Sequence, residues 1–553
     1  MSRLRRGLAA AIALTSLAVL PPGASAVAEE SSGTAEHMPL GPADLQAVAE
    51  VVETLAPGVT YQKFSQGQAS DLWSVELEIP YPNGKSWRVG NKTYADALVK
   101  DLAVHGFAGR VDSRQVPVLT GSGSPLSGHA VRVGQFAPDE QALANRMKGW
   151  LETSGYGART VYTAQDGSAT TGPWQVQVVR VAPTADVTFK AVHGQDVSTT
   201  QTVRDMAVAA GGLVAVNGSE FDIGSSTNKE FSGYDGDPEG LYVQGNNLLS
   251  EANNGRTALL LEGAGGRVRV DEITSRTQVT APDDQVRQID GVNRVPGRIR
   301  GCGGIGDDHR LDGKGANPEG KPWRGVMCVD DNEVVIFRPE WGSTTPQPRP
   351  EVGNSVDVVM DGNWTVKEIR PAGGPIPAGS RIMQGIGTGA DWLRAHAVVG
   401  QAFKPGTTIT DSQGKSVTSP TLSAVAGGGP ALVRNGEVLV NTVANGMHDA
   451  VYGTPTSAIT ERHPRTLAGV TATGELLLVT IDGRSPATSV GVTAQEAADV
   501  MKWLGARDAL SLGIGGDTSL VARDALYNRP MDSWTASGST ERKVGNAVVV
   551  VKK

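Results

Sequence analysis

A glycine-rich loop holding one acid, Gly513-Ile514-Gly515-Gly516-Asp517-Thr518, follows the short apolar run Ala509–Leu512. Small residues placed after a strand let backbone N–H groups approach an anion, and Thr518 adds a hydroxyl. An isoleucine stands where a phosphate cradle would take another glycine. A second set lies in Arg462-His463-Pro464-Arg465, where two guanidinium groups and an imidazole share one short segment. Arginine grips phosphate through a bidentate fork, so this set could hold a phosphoryl group. Arg294 and Arg256 are further cations of the same use. Each arginine has a competing reading as half of a structural ion pair. Asp482, just before Gly483, reads either as a base or orienting carboxylate or as a turn-forming Asp-Gly. The chain contains no HExxH, Walker A or GxSxG sequence, and no dinucleotide fingerprint falls after a strand. Its eight histidines are scattered, so the expectation is no cofactor and no metal.

The elements that must position these groups belong to a chain of 553 residues, too long for one ordinary core. With 70 glycines, 5% aromatic and 20% charged residues, the composition suits a turn-rich, strand-rich globular protein. Residues 1–26 read as a secretory signal: Arg3, Arg5 and Arg6, then an apolar stretch from Leu8 to Leu20, then Ala24-Ser25-Ala26. That stretch falls short of the roughly 20 residues that span a bilayer. The Arg5-Arg6 pair leaves export by the general or the twin-arginine route open. The expected product is secreted or extracellular, with no membrane association after cleavage. Removing the signal takes away three basic residues and no acids, so the mature chain is more acidic than the formal net charge of −8. Such a surface disfavours nucleic acid. Cys302 and Cys328, the two cysteines of the chain, predict one disulfide in an exported protein, against a reading as two free thiols.

Along the chain, residues 27–59 read as a flexible tether. From 60 to 182 a strand-helix-strand pattern occurs twice, through DLWSVELEIP and TYADALVKDLAVHG, then through HAVRVGQF and DEQALANRMKGWLETSG. Two such units predict a small ferredoxin-like sandwich. From 184 to 553, strands such as TALLLEG, SVDVVMDG, GELLLVTIDG and NAVVVVKK alternate with glycine-rich turns, which predicts a large domain on a mixed or antiparallel sheet. The fold class is therefore α+β.

Two resemblances go further. Val131-Arg132-Val133-Gly134-Gln135-Phe136 and Gly155-Tyr156-Gly157-Ala158-Arg159-Thr160-Val161 make 60–182 resemble a sporulation-related repeat (SPOR) domain. This implies binding to peptidoglycan glycan strands, beside the alternative of a packing unit with no ligand. Residues 184–553 resemble the phosphodiester glycosidase family, of which the uncovering enzyme N-acetylglucosamine-1-phosphodiester α-N-acetylglucosaminidase is a relative. The matching motifs are Val216-Asn217-Gly218-Ser219-Glu220-Phe221, Asn254 to Ala258, Gly291 to Arg294, Arg462 to Gly469, Ile481 to Arg484, Asn528 to Asp532 and Glu541 to Ala547.

The resemblance implies hydrolysis of sugar-phosphate diesters in cell-wall or extracellular glycans. On the chemistry that this reaction needs, the catalytic candidates are Asp517, Asp482 and His463. Binding falls to Arg462, Arg465, Arg294, Arg256, Asn217, Gly515, Gly516, Thr518 and Asn546. Two departures matter. The family loop Leu-Asn-Leu-Asp-Gly-Gly-Gly-Ser-Thr has Gly513 at its aspartate, Ile514 at a glycine and Asp517 at its serine. Ser219 and Glu220 likewise replace a glycine and an aromatic residue. The alternative is a catalytically degenerate member that binds cell-wall glycan.

Overall fold

In the computed structural model, an eight-stranded antiparallel sheet organises the chain. It runs in the order 48–56, 59–66, 174–181, 476–481, 465–471, 506–514, 431–434, 437–438. The residues described are 37–116, 126–223, 234–253, 255–262, 267–303, 305, 308–311, 322–348, 352–443, 445–447, 456–535 and 538–553. The signal segment, the first part of the tether and Asn254 lie outside them. The fold is mixed α+β and dominated by strands. Among the described residues, no helix is long and apolar enough to cross a membrane.

Alternation along the strands builds two cores. Leu476, Leu478, Ala468, Val470, Leu510 and Leu512 face one side. There they meet Val214, Val216, Val548 and Val550 of a second sheet, ordered 187–193, 546–552, 212–217, 520–522, 525–526. Leu477, Val479 and Ile481 face the other side and pack on the helix Ala494–Trp503. That helix starts at a capping box, in which Thr493 accepts from the Glu496 N–H and Glu496 accepts from the Thr493 N–H. Ala494, Ala497, Ala498 and Met501 form its buried stripe.

Register decides what emerges where. Arg465 pairs with both Ile481 and Ile514, so His463-Pro464, Asp482–Arg484 and Gly515–Asp517 leave the sheet at the same end. In the second sheet Asn217 pairs with Ala547 and Val216 with Leu520, which brings residues 217–219, 546 and 518–519 to that end too.

The amino-terminal third departs from expectation. Residues 48–56 are a strand paired with 59–66, and Met38 and Leu40 are buried, so the later part of 27–59 is no tether. The interval 60–182 is not a separate body either. Its end strands, Val59–Gln66 and Trp174–Val181, join the large sheet, and Val176–Val181 pairs with Leu476–Ile481. Between them sits a four-stranded antiparallel sheet, ordered 109–116, 126–136, 73–77, 158–162, with helices Lys92–Val104 and Gln141–Thr153. Those helices cover its apolar face through Ala95, Leu98, Leu102 and Leu151. Its polar face is buried on the large body by an ion network. Arg132 bonds Glu76 at 2.9 Å and Asp166 at 2.6 Å, while Arg159 bonds Glu76 at 2.6 Å and reaches Glu461 at 3.6 Å. Buried charges are tolerated only when paired and hydrogen-bonded, as these are.

Cys302 and Cys328 are bonded to each other, joining the strands Ile299–Cys302 and Pro322–Val329.

Candidate active site

At the common strand end, the loop Gly515–Asp517 is a single 3-10 turn between the strands 506–514 and 520–522. The turn folds Asp517 back over Gly513, where the Asp517 Cβ lies 3.3 Å from the point at which a side chain on residue 513 would begin. The acid four residues along therefore occupies the neighbourhood of the one that the loop lacks. Asp517 Oδ1 accepts from Arg542 Nη1 at 2.7 Å, and Arg542 Nη2 reaches Asp532 Oδ1 at 2.5 Å. Arg484 approaches from the turn after Ile481. Its Nη1 donates to the carbonyl oxygens of Asp532 and Met531, and its Nη2 stands 3.3 Å from His463 Nδ1.

The glycines make this close approach possible. A Cβ on Gly516 would lie 1.9 Å from Asp532 Oδ1 and 2.8 Å from Arg542 Nη2. Gly515, at a φ of +87°, would put one 2.8 Å from Arg484 Nη2. Two half-buried guanidinium groups thus lie against a glycine turn, with His463 and Asp517 beside them.

Their electrostatics favour an added anion. Burial holds the Arg484 guanidinium below its usual range, and the positive charge of Arg542 lowers it further against the pull of Asp532 and Asp517. Burial acts against Arg542 as well, but the carboxylates of Asp517 and Asp532 outweigh it and raise its pKa. A phosphate between the two would relieve the penalty on Arg484.

Behind the loop, Asn217 is nearly fully buried. Its Oδ1 accepts from Thr466 Oγ1 and from the Ser519 N–H at 3.1 Å. Its Nδ2 has no hydrogen-bond partner among the described residues and lies 2.2 Å from where a Cβ on Gly513 would be. The Thr518 hydroxyl is also buried without a partner among them. Glu220 adds a second carboxylate near the strand end. A Cβ on Gly428 would lie 2.5 Å from its Cγ and 2.8 Å from the Leu512 carbonyl oxygen.

Other expected site residues do different work. Arg462 is buried and grips Glu496 of the capping box together with the carbonyl oxygens of Ala164 and Ser168. Arg465 donates to the carbonyl oxygens of Val492 and Ala458. Both cations brace backbone and do not face the loop, so of that segment only His463 reaches the site. Arg294 forms a bidentate pair with Glu333 and bonds Glu251. Arg256 bonds Glu239 at 3.0 Å, and its buried Nε and Nη2 have no hydrogen-bond partner among the described residues. Asn546 locks a turn, because its amide bonds the Ser219 N–H and hydroxyl while its carbonyl takes the Gly218 N–H.

Asp482 is buried behind the site and accepts from Gln177, Asn528 and the Arg529 N–H. Burial pushes its carboxyl up to about 6, with those hydrogen bonds pulling the other way. Folding therefore favours its protonated form. That contribution to stability is complete below the ordinary aspartate value of about 4 and is lost as pH rises through about 6. It is a positioning residue for the 528–529 turn.

Arg484, Asp532 and Arg542 complete the cluster and were not singled out from sequence. Each lies within a motif quoted above, Ile481–Arg484, Asn528–Asp532 or Glu541–Ala547, so the motifs carried the signal.

A sequence model of the phosphodiester glycosidase family matches residues 352–551, a stretch that contains His463, Arg484, Asp517, Asp532 and Arg542. The match supports a glycosidase type of hydrolase activity. A Burkholderia pseudomallei protein described as exported has a crystal structure similar to this chain, at 27% identity and a TM-score of 0.79. The alignment covers 93% of this chain and 98% of that one. A hypothetical protein from Synechocystis aligns over 91% of this chain and 80% of its own at 15% identity and a TM-score of 0.50, a likeness of fold alone. The catalytic domain of zebrafish N-acetylglucosamine-1-phosphodiester alpha-N-acetylglucosaminidase aligns over 87% of this chain and 89% of its own. Its 11% identity and TM-score of 0.30 carry no argument. No curated protein is significantly similar to the chain.

Proposed function

We propose that this protein is a secreted hydrolase that cleaves sugar-phosphate diesters of cell-wall or extracellular glycans at the anomeric carbon. The observation that carries the reading is the convergence of Arg484 and Arg542 over Gly515-Gly516 beside Asp517 and His463. A departing phosphate monoester is already a good leaving group, so the reaction needs cations for the phosphate more than a strong general acid. It also needs a carboxylate at the anomeric carbon, to steer water or to attack. The two arginines supply the first and Asp517 the second, while His463 can hold or move a proton at Nδ1 or Nε2. The second reading, glycan binding without turnover, draws on the partner that Asp517 already has in Arg542.

Asp517→Asn and Asp482→Asn separate the two carboxylates on an activated α-glycosyl phosphodiester. The first is expected to lower kcat about 100-fold or more. The second should leave it within about tenfold, since Asp482 acts only through the 528–529 turn. Parental turnover in Asp517→Asn would remove it from the chemistry.

The inserted unit of residues 73–162 carries the SPOR-like part of the proposal, as a ferredoxin-like module that contacts peptidoglycan. Its polar sheet face is covered, so contact would use the helix side, where Trp150 is 61% exposed. Export with removal of residues 1–26 completes the reading, and a mature chain recovered from the medium should begin near Val27. The full chain should sediment with purified sacculi and lose that on Trp150→Ala; a chain that stays in the supernatant would remove the ligand.

A further inference from the structure

The strands that end at the candidate site reach, at their opposite end, a groove of about 740 Å³. Val470-Thr471 and Arg507-Asp508 form one wall. The strand residues 267–272 and the 412–415 turn form the other, with Arg434-Asn435 between. The volume falls in the roughly 300–1,000 Å³ range of ligand sites. Five cations line it, Arg267, Arg269, Lys415, Arg434 and Arg507, against three acids, Asp271, Glu272 and Asp508, in a chain of net charge −8.

The acids are engaged. Asp271 accepts from the Glu272 N–H, Glu272 pairs with Arg434 at 2.8 Å, and Asp508 accepts from the Asn435 N–H. The cations are less so. Arg267 and Lys415 are exposed and have no ion-pair partner among the described residues. Arg269 reaches Asp411 only at 3.7 Å, and its buried Nε has no hydrogen-bond partner among them. Arg507 makes a loose 3.7 Å pair with its neighbour Asp508. Arg267 and Arg269 stand two residues apart on one face of a strand, about 7 Å from each other, and Lys415, Arg434 and Arg507 join them from three further chain segments that line the groove. Among the described residues, no aromatic side chain lines it. Base stacking, the usual means of holding single-stranded nucleic acid, has no platform there.

We propose that this groove binds a linear anionic glycan segment whose phosphate or carboxylate groups are spaced along the chain. It is a site apart from the candidate active site, and that its anion is carried on a glycan rests on the function proposed above.

Titration of the full chain with inorganic tripolyphosphate, tetragalacturonate, neutral chitotetraose and a single-stranded oligonucleotide tests this. The triple variant Arg267→Ala/Lys415→Ala/Arg507→Ala and, separately, Arg484→Ala are titrated in parallel. At least one of the two anions should bind, more weakly as salt rises, and which one binds tells phosphate from carboxylate recognition. The triple variant should lose at least tenfold in affinity at the groove with an unchanged Tm, since all three side chains are exposed, while Arg484→Ala should lose only binding at the candidate active site and keep the groove's affinity. No binding of either anion, equal binding by the triple variant, loss on Arg484→Ala alone, or binding of chitotetraose or the oligonucleotide as tight as the anions would overturn the proposal.

Discussion

Arg542→Ala is expected to lower kcat/KM on an activated α-glycosyl phosphodiester by roughly 100- to 1,000-fold, about 3–4 kcal/mol of transition-state stabilisation. The side chain does two things at once. It offers a guanidinium at the glycine turn, and it holds the Asp517 carboxylate at 2.7 Å while bridging to Asp532. Removing it takes away a cation for the departing phosphate and releases the carboxylate from its place over Gly513. Arg542→Lys keeps a charge but loses the planar fork, so it should recover only part of the loss. The folded state should suffer little, because the side chain is half-buried at the surface and such pairs contribute at most about 1 kcal/mol. Turnover by Arg542→Ala within threefold of the parent, at an unchanged Tm, would contradict this assignment.

Gly513→Asp, which restores the carboxylate of the family loop, is expected to destabilise the protein by about 2 kcal/mol and not to raise turnover. Its Cβ would meet Asn217 Nδ2 at 2.2 Å and Asp517 Cβ at 3.3 Å. Asn217 could move aside only by giving up the bonds its Oδ1 accepts from Thr466 and Ser519, each contributing about 1 kcal/mol. The displaced loop would also push Asp517 from its place, and a shift of about 1 Å can cost on the order of 100-fold in rate. Urea unfolding of Gly513→Asp, Asn217→Ala and the double variant measures the clash directly. The double variant should be less destabilised than the sum of the single ones, because the two changes share one contact. Strict additivity, or higher turnover in Gly513→Asp without loss of stability, would show that residue 513 has room for a carboxylate.

Much of this arrangement was legible in the sequence where a local pattern carries it. The loop Gly513–Thr518 announces itself by its glycines. The strand before the loop runs through Ala506–Ile514, longer than its apolar run suggests, because Arg507 and Asp508 sit at an end of the sheet where polar side chains reach solvent. The strand 48–56 was missed because it is an edge strand whose first residues are all exposed, which leaves no alternation to read.

The arginines were misread for a different reason. A guanidinium binds a ligand only if its own fold leaves donors unused, and the carbonyl oxygens that engage Arg462 and Arg465 belong to residues 164, 168, 458 and 492. Conversely, Arg484 and Asp517 come together only because the pairing of Arg465 with Ile481 and Ile514 brings separate turns to one edge, and Arg542 joins them from the segment before the strand Asn546–Lys552 of the second sheet. No local spacing encodes that meeting.

In the proposed reaction, Arg484, Arg542, Asp517 and His463 serve cleavage at the sugar carbon. Hydrolysis of an α-glycosyl phosphodiester in ¹⁸O-labelled water, with mass analysis of both products, tests it most directly. A free sugar that carries the label and an unlabelled phosphate monoester are expected. Label in the phosphate would mean attack at phosphorus, and that result, or the absence of any product, would contradict it.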